Sequence, residues 1–167
     1  KPGEPDKRKL AALFSELEFT KLLDDLGESE AAPQTTLSYD KYRPILSREH
    51  LDGLVKELQG AKRIAVDVET TSLDPMRAKI VGISLCASEG EARYIPIGHS
   101  YLGAPAQLAW GDVLQALRPI LEDPRRKFIG QNIKFDALVL ARHGIAIPEI
   151  AFDTMVAAYL INPDRGP

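Results

Sequence analysis

The chain has 167 residues, of which 44% are hydrophobic and 27% are charged, which is enough for one ordinary globular core and a short additional segment. A net charge of −3 excludes a basic field over the whole molecule, so a nucleic-acid partner would have to be met by local groups or bound metal ions. The sequence has no apolar signal core and no run of membrane-spanning length, so we expect a soluble protein of the cytoplasm without a membrane partner.

The first 38 residues predict an N-terminal amphipathic helical arm followed by a linker. Apolar residues at helical spacing over residues 7–26 define the arm, and residues 27–38 have linker composition. The apolar stripe consists of Leu10, Leu13, Phe14, Leu17, Leu22 and Leu23. Because the chain opens on Lys1 rather than Met, we expect a piece of a longer polypeptide.

Residues 39–167 predict the globular part of the chain, an α/β domain. A helix capped by Ser47 precedes the first buried strand, and two further strands with a short connection predict an antiparallel hairpin. Strand, helix and strand segments then alternate up to a last helix after Phe152, so we expect a mixed sheet flanked by helices. The predicted strands are residues 39–45, 63–69, 79–87, 91–96 and 127–130, and the helices are residues 47–59, 110–121, a segment starting near 132 and one into which residues 145–152 lead.

Two acids interrupt the apolar pattern of the strand over residues 63–69. Side chains alternate along a strand, so Asp67 and Glu69 project from one face, with Cα atoms about 6.5–7 Å apart. No Lys or Arg lies between Arg63 and Arg77 to offset their repulsion. A hard divalent cation, Mg²⁺ or Mn²⁺, would remove that cost. The motif alone is equally compatible with a pair of acids that faces solvent or a neighbouring arginine.

A third acid, Asp136, lies one turn into the helix after the strand 127–130. Asn132 is the expected N-cap, and Phe135, Leu138 and Val139 are expected to face the core, which leaves Asp136 at the flank of the helix. If this strand joins the sheet of residues 63–69, Asp136 can complete a cluster with the first two acids. Asp153 is expected to be a helix N-cap rather than a ligand, and His99 a structural residue.

Two segments together resemble the first two motifs of the 3′–5′ exonuclease domain of bacterial DNA polymerase I. They are residues 67–74, Asp-Val-Glu-Thr-Thr-Ser-Leu-Asp, and residues 130–136, Gly-Gln-Asn-Ile-Lys-Phe-Asp. The segments 94–99, 104–107, 152–155 and 159–160 also resemble that family in order and approximate spacing. The resemblance covers about residues 39–162.

The resemblance implies an RNase H-like, DnaQ-like fold and the hydrolysis of single nucleotides from DNA 3′ ends. It implies that Asp67, Glu69 and Asp136 are catalytic and hold two divalent ions, Mg²⁺ or Mn²⁺, and that Glu69 helps to position the attacking water. It also implies that Thr70 and Leu73 touch the terminal nucleotide and that Asn132 supports the second motif. Polymerase and 5′-nuclease domains would be covalently linked partners.

The chain departs from the family pattern in one respect. The family carries a later Tyr-x-x-x-Asp motif that supplies a fourth acid and a water-orienting tyrosine, and no such motif occurs in these 167 residues. We therefore expect a fold that is incomplete at its C-terminus, weak metal binding and poor turnover. Two alternatives stay open at this point, a non-catalytic spacer module of a polymerase and an exonuclease that trims RNA 3′ ends.

Overall fold

The computed structural model describes residues 5–26 and 41–163, which belong to two compact units, the first before Ser38 and the second from it onward. The predicted linker, residues 27–38, and the start of the strand predicted from residue 39 lie outside the described residues. None of the described helices is long and apolar enough to cross a membrane.

The first unit contains two short helices, α1 (Lys7–Glu16) and α2 (Thr20–Asp25), where the apolar spacing predicts one helical arm. Asp6 caps α1 by accepting hydrogen bonds from the backbone N–H groups of Arg8 and Lys9. Glu18 interrupts the helical path because its backbone is left-handed, with φ 57°. The arm is therefore divided at residues 17–19.

The second unit is built on a mixed sheet, as the sequence predicts, and this sheet has six strands, of which β6 is not among the predicted ones. The strand order is β1-β4-β3-β2-β5-β6; β2 pairs antiparallel with β3 and β3 with β4, whereas β2–β5, β5–β6 and β1–β4 are parallel pairs. The strands are β1 (Arg43–Pro44), β2 (Arg63–Thr70), β3 (Ile80–Cys86), β4 (Arg93–Pro96), β5 (Lys127–Gly130) and β6 (Ile150–Asp153).

Four helices accompany this sheet among the described residues, and the apolar faces of the first three supply much of the core, whereas the last has no buried residue. Ser47 caps α3 through a hydrogen bond from the His50 N–H to its hydroxyl, as predicted. The helices are α3 (Arg48–Gln59), α4 (Trp110–Leu121), α5 (Ile133–Arg142) and α6 (Thr154–Ile161). The buried helix residues that the spacing predicts include Leu51, Leu54, Leu58, Val113, Leu117, Ile120 and Leu121.

Candidate active site

The site begins at the carboxyl end of β2, where the alternation of side chains is as predicted. Val66 and Val68 are buried, whereas Asp67 and Glu69 are exposed on the other face of the strand. The pairing of β2 with β3 shifts register between Glu69 and Thr70, which is a β-bulge or a similar irregularity.

Asp136 reaches the same strand from α5. Strand β5 lies parallel to β2, and α5 follows β5 after a two-residue connection, so the helix begins near the carboxyl end of β2. The Asp136 carboxylate accepts a hydrogen bond from the Val68 N–H at 2.9 Å, and only 3% of the residue is exposed. The expectation that β5 and β2 share one sheet is therefore confirmed.

The buried face of α5 differs from the prediction at one position. Leu138 is 49% exposed, whereas Asp136 itself occupies a place on the buried face together with Ile133, Val139 and Leu140. The helix is rotated toward β2 relative to the predicted stripe, because the backbone N–H of Val68 provides a partner for a buried carboxylate. Phe135 is half-buried and packs against the core.

Burial raises the pKa of the Asp136 carboxyl to about 6, although the hydrogen bond from Val68 acts in the opposite direction. The negative charge of Asp67 raises this pKa further, which places the two carboxylates within electrostatic range of each other. A cation beside them would favour the ionised form of both groups.

The donor chemistry of Asp67, Glu69 and Asp136 suits Mg²⁺ or Mn²⁺, because all three offer carboxylate oxygens. Within residues 5–26 and 41–163, however, no three Asp, Glu, His or Cys side chains converge on a set that could hold a metal ion. The structure therefore brings the three acids to one end of β2 without assembling a cage. Binding an ion would require the exposed side chains of Asp67 and Glu69 to reorient.

Asn132 does not cap α5 with its side chain, which corrects the prediction. Its backbone is left-handed, with φ 52°, and its side chain makes no capping hydrogen bond. The Asp153 carboxylate instead accepts from the N–H groups of Asn132 and Ile133, at 3.0 Å each. The Asn132 Oδ1 atom is buried and has no hydrogen-bond partner among the described residues.

Asp153 also caps α6, as the sequence predicts, by accepting from the N–H groups of Met155 and Val156. The sequence does not predict that Asp153 also binds the start of α5, because Asp153 lies 20 residues from Ile133. Burial acts to raise the pKa of Asp153, but the four backbone N–H donors lower it by more, and the net shift is downward.

The two other residues that the resemblance implicates follow the acids directly. The Thr70 hydroxyl donates a hydrogen bond to the Ser72 carbonyl at 2.9 Å, which holds the turn after β2. Leu73 is 94% exposed in this turn. An exposed leucine beside two acids can pack against a bound molecule without disturbing the core.

A cleft of about 580 Å³ adjoins Glu69 on the side of β3 and β4. Its wall includes Tyr94 and His99, whose hydroxyl oxygen and Nε2 atom lie 2.5 Å apart. Burial raises the pKa of Tyr94, and the negative charge of Glu69 raises it further. No local pattern in the sequence predicts that Tyr94 and Glu69 line one cleft, because this arrangement depends on the strand register.

A comparison with known protein families shows to which family this chain belongs. Residues 42–166 match the model of a 3′–5′ exonuclease family. This chain belongs to that family. DNA polymerase I of Pseudomonas aeruginosa is 43% identical over 173 residues, covering 96% of this chain and 19% of that protein. DNA polymerase I of Chloroflexus aurantiacus is 37% identical over 140 residues, covering 84% of this chain and 14% of that protein.

These relatives confirm the predicted likeness to the exonuclease domain of bacterial DNA polymerase I. This exonuclease domain spans less than a fifth of the length of both proteins. Among solved structures, Trypanosoma brucei RNase D superposes with a TM-score of 0.59 at 21% identity, covering 75% of this chain and 41% of that one. The superposition confirms the predicted RNase H-like fold.

Proposed function

We propose that this domain hydrolyses the 3′-terminal phosphodiester of DNA, as the proofreading exonuclease of a DNA polymerase I. Water attacks phosphorus and the bond from phosphorus to the 3′ oxygen of the preceding nucleotide breaks. The products are a nucleoside 5′-monophosphate and a strand shortened by one nucleotide with a free 3′ hydroxyl. The observation that carries the proposal is the hydrogen bond from the Val68 N–H to the Asp136 carboxylate, which ties Asp136 to the strand that carries Asp67 and Glu69, in a chain of this family.

Asp67, Glu69 and Asp136 would hold two divalent ions, Mg²⁺ or Mn²⁺. Such ions lower the pKa of a bound water and stabilise the attacking and leaving oxygens of a phosphoryl displacement. Asp67 and Glu69 contribute exposed carboxylates, whereas the Val68 N–H fixes the direction of Asp136. Glu69 would also orient the water, since its side chain is free to turn toward the reacting phosphate.

Thr70, Leu73 and Asn132 would contact or support the terminal nucleotide. The exposed Leu73 side chain offers apolar surface to a base or a sugar. The buried Oδ1 of Asn132 has no partner in the part of the chain that the structure describes, so it can accept a hydrogen bond from a group that enters the site. Single-stranded or frayed 3′ ends fit such an arrangement, because a paired terminus would have to open before reaching β2.

Covalently linked polymerase and 5′-nuclease domains are the proposed partners, and their support is the length of the DNA polymerase I relatives. A fourth acid and a water-orienting tyrosine would be needed for full activity. We therefore expect the 167-residue chain alone to bind metal weakly and to turn over slowly. Equal specific activity of this chain and of a longer polypeptide carrying a Tyr-x-x-x-Asp segment would refute this expectation.

The decisive experiment compares matched DNA and RNA oligonucleotides in excess Mn²⁺, with the longer polypeptide and its Asp67→Ala variant. We expect trimming of DNA from the 3′ end that the substitution abolishes. Equal trimming of RNA would favour an RNA 3′-end exonuclease instead. No trimming of either strand would favour a spacer module that retains its acids without turnover.

A second measurement tests metal binding without activity. We expect Mn²⁺ to raise the thermal unfolding temperature of the 167-residue chain, because an ion that binds only the folded state stabilises it. Asp67→Ala should remove most of this rise. An equal rise in both proteins would show that the ion binds elsewhere.

A further inference from the structure

Tyr94 belongs to the face of the sheet that carries the two acids of β2. Asp67 pairs with Ser84 on β3, and Ser84 pairs with Tyr94 on β4. Directly paired residues of antiparallel strands project from the same face. The Tyr94 side chain therefore starts from the face of the sheet that carries Asp67 and Glu69.

Gly82 lets the Tyr94 ring lie across β3 toward Glu69. A β-carbon at Gly82 would overlap the hydroxyl oxygen and the adjoining ring carbons of Tyr94. Gly82 is the register partner of Glu69, and paired β-carbons in an antiparallel sheet lie about 4.5–5.5 Å apart. The phenol hydroxyl thus occupies the position next to Glu69 that a side chain at residue 82 would otherwise fill.

His99 and Gln107 hold the ring in this position. The Tyr94 oxygen lies 2.5 Å from His99 Nε2, and the His99 ring also contacts the edge of Tyr101 with ring centroids 5.8 Å apart. The Gln107 amide binds the His99 backbone twice, accepting from its N–H at 2.9 Å and donating to its carbonyl at 2.7 Å. These two hydrogen bonds fix the backbone of His99, so that its imidazole orients the phenol of Tyr94.

We infer that Tyr94, oriented by His99, is a positioning residue for Glu69, and that its hydroxyl donates a hydrogen bond to the Glu69 carboxylate as the site engages a DNA 3′ end. The inference rests on the proposed exonuclease function. A neutral donor suits this place, because it restrains the direction of Glu69 without adding a positive charge that would compete with a cation. The structure shows the two groups on one cleft, and the hydrogen bond forms when the exposed Glu69 side chain turns toward the ring.

A hydrogen bond from Tyr94 to Glu69 determines which ring nitrogen of neutral His99 carries the hydrogen. A phenol has one hydrogen, so donation to Glu69 requires that His99 Nε2–H donates to the Tyr94 oxygen. His99 must then be the Nε2–H tautomer when it is neutral. If Nε2 instead accepts from Tyr94, the phenol hydrogen is used within the pair and cannot reach Glu69.

The tautomer can be read from the ¹⁵N chemical shifts of the imidazole in the ¹⁵N-labelled 167-residue chain saturated with a single-stranded DNA oligonucleotide, at a pH where the ring is neutral. Asp67→Ala and His99→Asn variants would support the assignment of the signals. We expect the Nε2–H pattern for His99. The Nδ1–H pattern would overturn the inference without touching the proposed function, because it requires no turnover.

The second test is a measurement of kcat and KM for the longer polypeptide acting on a single-stranded DNA 3′ end. Tyr94→Phe should lower kcat roughly tenfold and leave KM within about twofold, since loss of a hydrogen bond to a charged group reduces transition-state positioning. Tyr101→Phe, which keeps the ring that contacts His99, is the matched control and should retain the rate of the unsubstituted protein.

The two failures are distinguishable. If Asp67→Ala abolishes trimming while Tyr94→Phe keeps the full kcat, the proposed function stands and the role of Tyr94 is refuted. If Asp67→Ala keeps the rate, the acidic site itself is wrong. A Tyr94→Phe variant that raises KM with unchanged kcat would also overturn the inference, because it would show a role in binding alone.

Discussion

At the scale of single residues, Asp136 is a buried carboxyl group to which the proposed function assigns metal binding. Its carboxyl is buried beside Val68 and Asp67, and its pKa is about 6 instead of its ordinary value of 3.8. The folded chain therefore holds a proton on Asp136 that the unfolded chain has already released between these two pH values. Stability from this group is fully present below pH 3.8 and is lost as pH rises through about 6.

We predict that Asp136→Asn stabilises the metal-free chain at pH 7.5 by about 3 kcal/mol, since two pKa units correspond to roughly that free energy. The gain should vanish near pH 4, where the native carboxyl is protonated. Urea unfolding of both proteins at several pH values measures the difference. A difference that does not change with pH would contradict the raised pKa. The same variant should lose the Mn²⁺-dependent rise in unfolding temperature.

Arg126 is a charged residue that the fold buries. Only 8% of Arg126 is exposed, and its guanidinium donates to the carbonyl oxygens of Leu58, Gln59 and Ala61 at the end of α3. An ion pair of 3.3 Å with Asp123 balances its charge. Arg126 therefore joins α3 to the turn before β5 and is not free to bind phosphate.

We predict that Arg126→Met lowers the free energy of unfolding by about 3 kcal/mol, because three carbonyl groups lose a charged donor and Asp123 loses a partner. Arg125→Met is the matched control. Arg125 is exposed and binds only Asp123 among the described residues, so its loss should change stability little. Equal urea midpoints for the two variants would contradict the role of Arg126 in joining α3 to the turn before β5.

At the scale of elements, Asp153 connects the starts of two helices. Its carboxylate accepts from the first N–H groups of α6 and from the N–H groups of Asn132 and Ile133 at the start of α5. Strand β6 pairs in parallel with β5, so the ends of both strands bring these helix starts together. One side chain thereby satisfies donors that normally need two caps.

We predict that Asp153→Ala destabilises the chain by roughly 2 kcal/mol, about the value of two helix caps. Asp112→Ala, at an exposed acid in the first turn of α4, should have a much smaller effect. Chemical unfolding measures both changes. Because the folded pKa of Asp153 is lowered, its contribution is present above pH 3.8 and is lost as pH falls through the folded value. An unchanged midpoint for Asp153→Ala would refute the double cap.

At the scale of the second unit, the sheet ends on an apolar face. The edge strand β6 exposes Ile150 and Phe152, and α6 exposes Leu160 and Ile161, the last two by 81% and 84%. Apolar patches of this kind mark contact surfaces on soluble domains. The acidic site lies at β2, two strands from this edge.

We predict that the 167-residue chain self-associates through the face of β6 and α6. Sedimentation velocity over a range of concentrations should show association that Leu160→Lys together with Ile161→Lys reduces. Leu102→Lys is the control, because Leu102 is fully exposed in a loop away from these elements. A chain that stays monomeric at all concentrations would contradict this prediction. So would a control variant whose association is reduced as strongly as that of the Leu160→Lys, Ile161→Lys variant.

Much of the fold follows from local patterns. Helix α3 begins at its predicted cap, β5 has its predicted bounds, and Asp67 and Glu69 share a face because side chains alternate along any strand. Among the described residues, strand β1 contains only Arg43 and Pro44, which pair with Arg93 and Tyr94 of β4. Leu138 and Asp136 exchanged their expected exposure because α5 packs against β2 through the Val68 N–H.

The sequence by itself determined the acidic pair, most element boundaries and the likeness to the exonuclease family, since each depends on residues close together in the chain. Only the tertiary structure decided which distant groups meet these elements. Asp136 at Val68, Asp153 at the start of α5 and Tyr94 above Gly82 depend on strand order and register, which bring residues 12 to 68 positions apart into contact. These contacts set the burial and charge on which the chemistry of the site depends.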